Sequence, residues 1–156
     1  MYSVQRLKRL SIKKFFSVVR ILHKCGKDMA KNQGLMHWNN SYLKTCVIVA
    51  LCVLKNDVYL VYDGKAPVAT FQVRLNNGSV VFQKLATSPE YAGRGIGRRC
   101  LFEIERIGRA GGCNSVLCEV YDKSEHAIRF YEKCGFIECG TEKTRKYSQI
   151  KMRKQL

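Results

Sequence analysis

A mixed α+β domain is what this 156-residue sequence predicts, and four observations carry the prediction. Alternating apolar residues, broken by turn signals, run from Val58 to Thr87 as an antiparallel meander. A glycine-rich loop, Gly93-Arg-Gly-Ile-Gly97, then opens an amphipathic run to Gly112. The apolar strand beyond it, Val116–Val120, lies parallel to the strand before the loop, because a helix crosses between them. Finally, the apolar residues between Ile12 and Met29 recur at helical spacing.

Each element follows from local chemistry. Ser3–Leu7 reads as a short first strand, and Ser11 as the N-cap of a helix whose inner face is Ile12, Phe15, Phe16, Val19, Leu22, Gly26 and Met29. Asn32-Gln-Gly34 ends that helix. Leu35–Tyr42 holds the only tryptophan, Trp38, beside His37, as an aromatic cluster that either lines a substrate pocket or anchors a loop on the core. Cys46–Leu54 is ambiguous: its β-branched residues favour a strand, while the flanking Ser41 and Asn56-Asp57 allow a buried helix. The meander has strands at 58–62, 67–75 and 79–87, with turns at Asp63-Gly64-Lys65 and Asn76-Asn77-Gly78. After the glycine loop, Cys100, Leu101, Ile104 and Ile107 form a buried stripe that Gly111-Gly112 stops. Glu125–Lys133 is a further helix with Ala127, Ile128, Tyr131 and Cys134 inward, and 136–139 and 147–152 are the last strands.

The length suits one domain over 1–156 with a real core. Net charge is +16 and sits at the two ends. Residues 1–31 carry nine Lys/Arg against one acid, residues 141–156 six against one, and residues 32–140 thirteen against ten. Such a balance attracts polyanions: nucleic acid, an acidic membrane or a phosphorylated ligand. It argues against polyamine substrates. No apolar run approaches the roughly 20 residues of a membrane span, and Lys/Arg break the first apolar residues, so no signal peptide is read. The eight cysteines form no C-x-x-C pair and no zinc pattern, so no metal is expected. They read as buried free thiols of a reducing, cytoplasmic compartment.

The glycine loop is where chemistry enters. Glycines at 93, 95 and 97 stand where a helix begins, and a helix N-terminus offers unpaired N–H groups and positive dipole to an anion such as phosphate. No G-x-x-x-x-G-K-[ST] string is present. The spacing and the position after a meander also fail the dinucleotide fingerprint.

A third possibility is acyl-coenzyme A. Leu85-Ala-Thr-Ser-Pro-Glu-Tyr-Ala-Gly-Arg-Gly-Ile-Gly-Arg-Arg-Cys-Leu101 resembles motif A of the GNAT superfamily of N-acetyltransferases, typically L-x-V-x-P-x-Y-R-G-x-G-I-G. Ser124-Glu-His-Ala-Ile-Arg-Phe-Tyr-Glu-Lys-Cys-Gly-Phe136 resembles the family segment N-x-x-A-x-x-x-Y-x-x-x-G-F. The resemblance implies a mostly antiparallel, split mixed sheet flanked by helices, and makes 46–54 a helix. It implies acetyl-CoA in the split: Leu85, Ala86 and Thr87 along the pantetheine arm and at the oxyanion, and Ala92, Gly93, Arg94, Gly95, Ile96, Gly97 and Arg98 at the pyrophosphate. It also places Ser124 beside the pantetheine and makes Tyr131 the acid that protonates the leaving thiolate. A phenol is protonated at neutral pH, its ordinary pKa being about 10. Two departures stand out: Ala92 where Arg or Gln is usual, with Arg94, Arg98 or Arg99 to compensate, and Ser124 where Asn is usual. Gln83 occupies the region of the family's basic glutamate and cannot replace it, so Glu119 is the best acidic substitute, beside a water chain to solvent. Trp38 and Tyr42 are the substrate candidates. The function implied is acetyl transfer to a primary amine, by a monomer or homodimer. The alternative is a basic RNA- or ribosome-associated binding module on the same fold with weak or no catalysis.

Overall fold

The computed structural model describes residues 2–7, 11–145 and 147–156. Among the described residues four α-helices and seven strands follow one another in an α+β order, and the strands of the mixed sheet, counted along the chain, neighbour one another in the order first, second, third, fourth, fifth, seventh, sixth. The chain divides into two compact units, residues 1–74 with 84–103 and residues 75–83 with 104–156.

In the first unit β1 (Tyr2–Arg6) and β2 (Asp57–Asp63) pair antiparallel, as do β2 and β3 (Ala66–Asn76). Two helices, α1 (Ile12–Gln33) and α2 (Tyr42–Lys55), belong here as well. The core gathers Leu7, Val18, Val19, Ile21, Leu22 and Cys25 with Val49, Val58, Leu60 and Ala86. Gly26 is what lets the 38–39 backbone close on α1, because a Cβ there would stand 2.1 Å from the Trp38 carbonyl oxygen. The expected ending of α1 holds: Gly34 takes the left-handed conformation and its N–H donates to Met29.

One reading of α1 holds in position only, and one needs correction. Ser11 sits at its N-terminus, but its side chain makes no cap hydrogen bond; only its carbonyl takes part, accepting from the Phe15 amide. Ile12 and Phe16 are exposed, since the buried part of the helix begins at Val18. The helix implied for 46–54 is present. Ser41 caps it by accepting from the Lys44 amide, and Thr45 and Val49, four residues apart, are its buried side. Its β-branched residues lose to this arrangement because a helix satisfies its own backbone while it buries one side.

In the second unit the first residues of β4 (Ser79–Thr87) run parallel to β5 (Ser115–Tyr121), and this pairing extends only from Ser79↔Ser115 to Val81↔Leu117. Further along β4, Lys84 has φ of 49°, a left-handed residue within a strand. The hairpin before β4 turns through Asn77 and Gly78, both left-handed, as the Asn-Gly pair predicts. Helix α3 (Ile96–Ala110), whose residues up to Glu103 belong to the first unit, buries Cys100, Leu101 and Ile104, with Ile107 half-buried. Helix α4 (Glu125–Lys133) buries Tyr131, while Ala127, Ile128 and Cys134 are half-buried. β6 (Ile137–Lys143) and β7 (Ser148–Gln155) pair antiparallel, and β7 also flanks β5 antiparallel.

Candidate active site

The glycine loop has the geometry its sequence asked for. After Thr87, Ser88 is buried and its amide donates to the Val68 carbonyl at 2.8 Å. Pro89–Tyr91 make one 3₁₀ turn. Gly93 and Gly95 follow with φ of 76° and 75°, a conformation costly for any residue with a Cβ. A Cβ at either would meet no atom within 4 Å, so this side of the loop is open. The Arg99 amide donates to the Gly95 carbonyl at 3.1 Å, the first bond of α3. The amides of Ile96, Gly97 and Arg98 therefore form the open N-terminal end of the helix, where dipole and N–H groups favour an anion.

The basic residues around the loop are not equivalent. The Arg94 guanidinium lies over the Tyr91 ring at 5.1 Å. Arg99 pairs with Glu103 at 3.2 Å and packs over Phe102. Arg98 is exposed. The Ala92 amide donates to the Pro89 carbonyl at 3.1 Å, so its backbone is engaged in the turn.

Residues that motif reading did not single out brace this loop. The Cys25 thiol donates to the Thr87 carbonyl at 3.0 Å. Burial, helped by Asp28 and Glu90, pushes that thiol up to about 12, so it is a neutral donor. Lys24, its neighbour on α1, pairs with Glu90, and Ser88 donates to the other Glu90 oxygen at 2.5 Å. These two hydrogen bonds, Lys24 first, hold the Glu90 carboxyl down to about 2. In the sequence Cys25 stands only as one of eight cysteines read as buried free thiols, outside the apolar stripe read for α1.

The aromatic candidates fall in the same unit. Lys84 lies over the Trp38 ring at 5.3 Å, and burial followed by the Lys84 charge lowers the His37 pKa. Tyr42, at the start of α2, meets the His23 ring edge-on at 5.4 Å. The first unit thus holds Leu85, Ala86, Thr87, the stretch from Ala92 to Arg98, Trp38 and Tyr42.

Tyr131, Ser124 and Glu119 belong to the second unit. Tyr131 is buried, with Phe82 and Phe136 each 5.6 Å from its ring. Its carbonyl accepts from the Cys134 and Phe136 amides, which fixes the C-terminal end of α4. Ser124 is buried at the start of α4, and its hydroxyl makes no cap hydrogen bond with that helix. Glu119 is exposed on β5, opposite Lys151 in register. The buried members of that strand include Val116, Cys118 and Val120, so Glu119 shares the other face with Leu117 and Tyr121. Lys151 pairs with Glu142 at 2.8 Å. Among the described residues no group of three or more His, Cys, Asp and Glu is placed to hold a metal ion. The cysteines are free thiols; Cys25, Cys100 and Cys118 are buried and Cys139 is exposed.

Comparison with known proteins agrees with this geometry. Residues 30–136 match the model of the Acetyltransferase (GNAT) family. That is more than half of the chain, which belongs to this family. Glucosamine 6-phosphate N-acetyltransferase of Trypanosoma brucei brucei is 35% identical over 54 residues, 35% of this chain and 35% of that protein. The match therefore spans about a third of that relative's length. The ribosomal-protein-S18-alanine N-acetyltransferase of Escherichia coli superposes with a TM-score of 0.74 at 16% identity, covering 99% of this chain and 94% of that one. The PaiA N-acetyltransferase of Thermoplasma acidophilum, solved in complex with coenzyme A, gives 0.71 at 18% identity, covering 99% of both chains. At such identities these two likenesses concern the fold.

Proposed function

We propose that this chain, acting as one catalytic domain over residues 1–156, moves the acetyl group of acetyl-CoA directly to a primary amine. The observation that carries the reading is the loop at Gly93 and Gly95, left-handed twice and open on its Cβ side, leading into the N-terminus of α3. In a GNAT-family chain, the anion suited to such a loop is the pyrophosphate of coenzyme A.

In this reading the amides from Gly93 to Arg98 hold the pyrophosphate, with Arg94 and Arg98 supplying the charge that Ala92 does not. Backbone groups of Leu85 and Thr87 pair with the pantetheine arm, Ser124 adds a hydroxyl, and an N–H near Ala86 receives the oxyanion. Acetyl-CoA supplies the thioester. Tyr131 donates a proton to the leaving thiolate, and the amine loses its proton to Glu119 or to water. Trp38 and Tyr42 frame the acceptor. An amino-sugar phosphate heads the acceptors to test, because of the glucosamine 6-phosphate relative and the basic surroundings.

Thermal shift and thiol release test this together. Saturating acetyl-CoA should stabilise the fold by about 2.7 kcal/mol at 100 times Kd. Thiol release should then require an amine from a panel of amino-sugar phosphates, small amines and peptides. Absence of any shift sinks the reading. If RNA binds and is lost above about 0.2 M salt while acetyl-CoA gives no shift, the binding-module alternative stands instead.

A further inference from the structure

Helix α2 turns most of its apolar surface outward. Its buried residues are Thr45 and Val49, while Leu43 (76%), Val47 (54%), Leu51 (53%) and Leu54 (68%) are exposed. Spacings of four, four and three put these side chains on one stripe of the helix, about 16 Å long at the α-helical rise. Contiguous apolar patches of this kind on a soluble surface mark a contact site.

The surroundings say what kind of contact. Lys44 and Lys55 are exposed near the two ends of the stripe. α1 packs against α2. Its exposed row begins with Ile12 and Phe16 and continues through Arg20, Lys24, Lys27 and Lys31. Residues 11–55 contain eight Lys/Arg and one acid, Asp28. Lys24 is held by Glu90, and this pair of packed helices carries its other cations with one acid, Asp28, to offset them. A second copy would bring two such basic faces together, which charge repulsion opposes. The stripe also lacks the Trp, Tyr and Arg anchors that dominate protein–protein hot spots. Leucine and valine bracketed by lysines suit the headgroup–acyl boundary of a bilayer, where the lysine stems lie along apolar surface and the ammonium groups reach the headgroups.

We propose that the α2 stripe, with the basic row of α1, docks this chain on an anionic membrane surface. The contact is interfacial: among the described residues no helix is long and apolar enough to cross a membrane. It is independent of the acetyl-transfer reading, and either can fail without the other.

The test is co-sedimentation of the full chain with vesicles of phosphatidylcholine containing roughly one quarter phosphatidylglycerol, against pure phosphatidylcholine. Binding is expected to the anionic vesicles and to weaken with salt. The double variant Val47→Glu/Leu51→Glu changes exposed positions and should lower partitioning at least about tenfold. Arg20→Glu/Lys27→Glu should weaken binding similarly while leaving the stripe intact. Circular-dichroism melts control for folding, and Leu43→Ser/Leu54→Ser replaces the first variant if it unfolds. The proposal is overturned if the parent chain binds no anionic vesicles, or if stripe variants bind as well as the parent, which would make the contact charge alone. It is equally overturned if sedimentation velocity shows a dimer that the stripe variants convert to monomer.

Discussion

The thiol of Cys25 on α1 donates a hydrogen bond to the carbonyl oxygen of Thr87, the last residue of β4, at 3.0 Å. One residue earlier on α1, Lys24 pairs with Glu90 in the turn that follows Thr87. Two consecutive residues of α1 therefore clamp both ends of a four-residue stretch leading into the glycine loop. The first clamp is buried and neutral; the second is exposed and ionic.

Removing the buried clamp is expected to cost more. Cys25→Ala loses a hydrogen bond and leaves a small cavity, and should destabilise the fold by about 1–3 kcal/mol. If Thr87 contacts the pantetheine arm, acetyl-CoA affinity should fall several-fold as well. Cys25→Ser, which keeps a donor, should retain more of the affinity than Cys25→Ala. Denaturant melts and acetyl-CoA titrations of the two variants check this, and equal affinities would separate Cys25 from the loop.

The ionic clamp has a pH signature. Glu90 is held down to about 2, so its contribution is present above the ordinary carboxylate range and is lost as pH falls toward 2. Its side chain is half exposed, and the contribution is correspondingly small. The melting-temperature difference between the parent and Glu90→Gln should shrink from pH 6 to about 2 and shrink also with salt. At the other end of the scale, Cys25 and Cys100 are pushed up to about 12 by burial. Their raised values favour the fold below the ordinary thiol range, about 8.5. Stability should therefore decline as pH rises from there toward 12, and a Cys100→Ala variant should show a shallower decline.

The loop itself can be tested in both directions. Gly95→Ala must place a Cβ on a residue with φ of 75°. That strain costs about 1–2 kcal/mol, and acetyl-CoA affinity should fall at least about tenfold if the amide at 95 holds pyrophosphate. Ala92→Arg leaves the amide bond to Pro89 in place and adds a cation, so affinity should rise a few-fold at low salt. Isothermal titration at two salt concentrations distinguishes a charge effect from a change of loop shape.

Tyr131→Phe keeps the ring packed between Phe82 and Phe136 and removes only the hydroxyl. If that hydroxyl protonates the thiolate, turnover should drop by about 10²-fold, with the melting temperature and acetyl-CoA affinity little changed. Turnover equal to the parent's would remove Tyr131 from the acid role.

Much of this was legible in the residues because the signals were local. The Asn77-Gly78 turn announced its hairpin, and the glycines at 93 and 95 announced backbone that other residues resist. Helical spacing placed α1, α3 and α4 within a few residues of their bounds. The two motifs, at 85–101 and 124–136, pointed to the family that the match over 30–136 establishes. Local signals also misled in part: Ser11 takes the N-cap position but its hydroxyl makes no cap hydrogen bond, and Ile12 and Phe16 looked buried and are exposed.

By itself, then, the chain's sequence determined the order of its elements, the glycine loop and the family, because period, turn chemistry and motif act over a few residues. Tertiary structure decided the rest. Val49 reaches the core from a helix although its neighbours favour a strand, because the contacts that bury it come from distant parts of the chain. Cys25 became a brace for Thr87, 62 positions further along the chain, and Lys24 found Glu90, 66 positions further. The outward stripe of α2 is of the same kind: an apolar residue does not state in sequence whether anything will cover it.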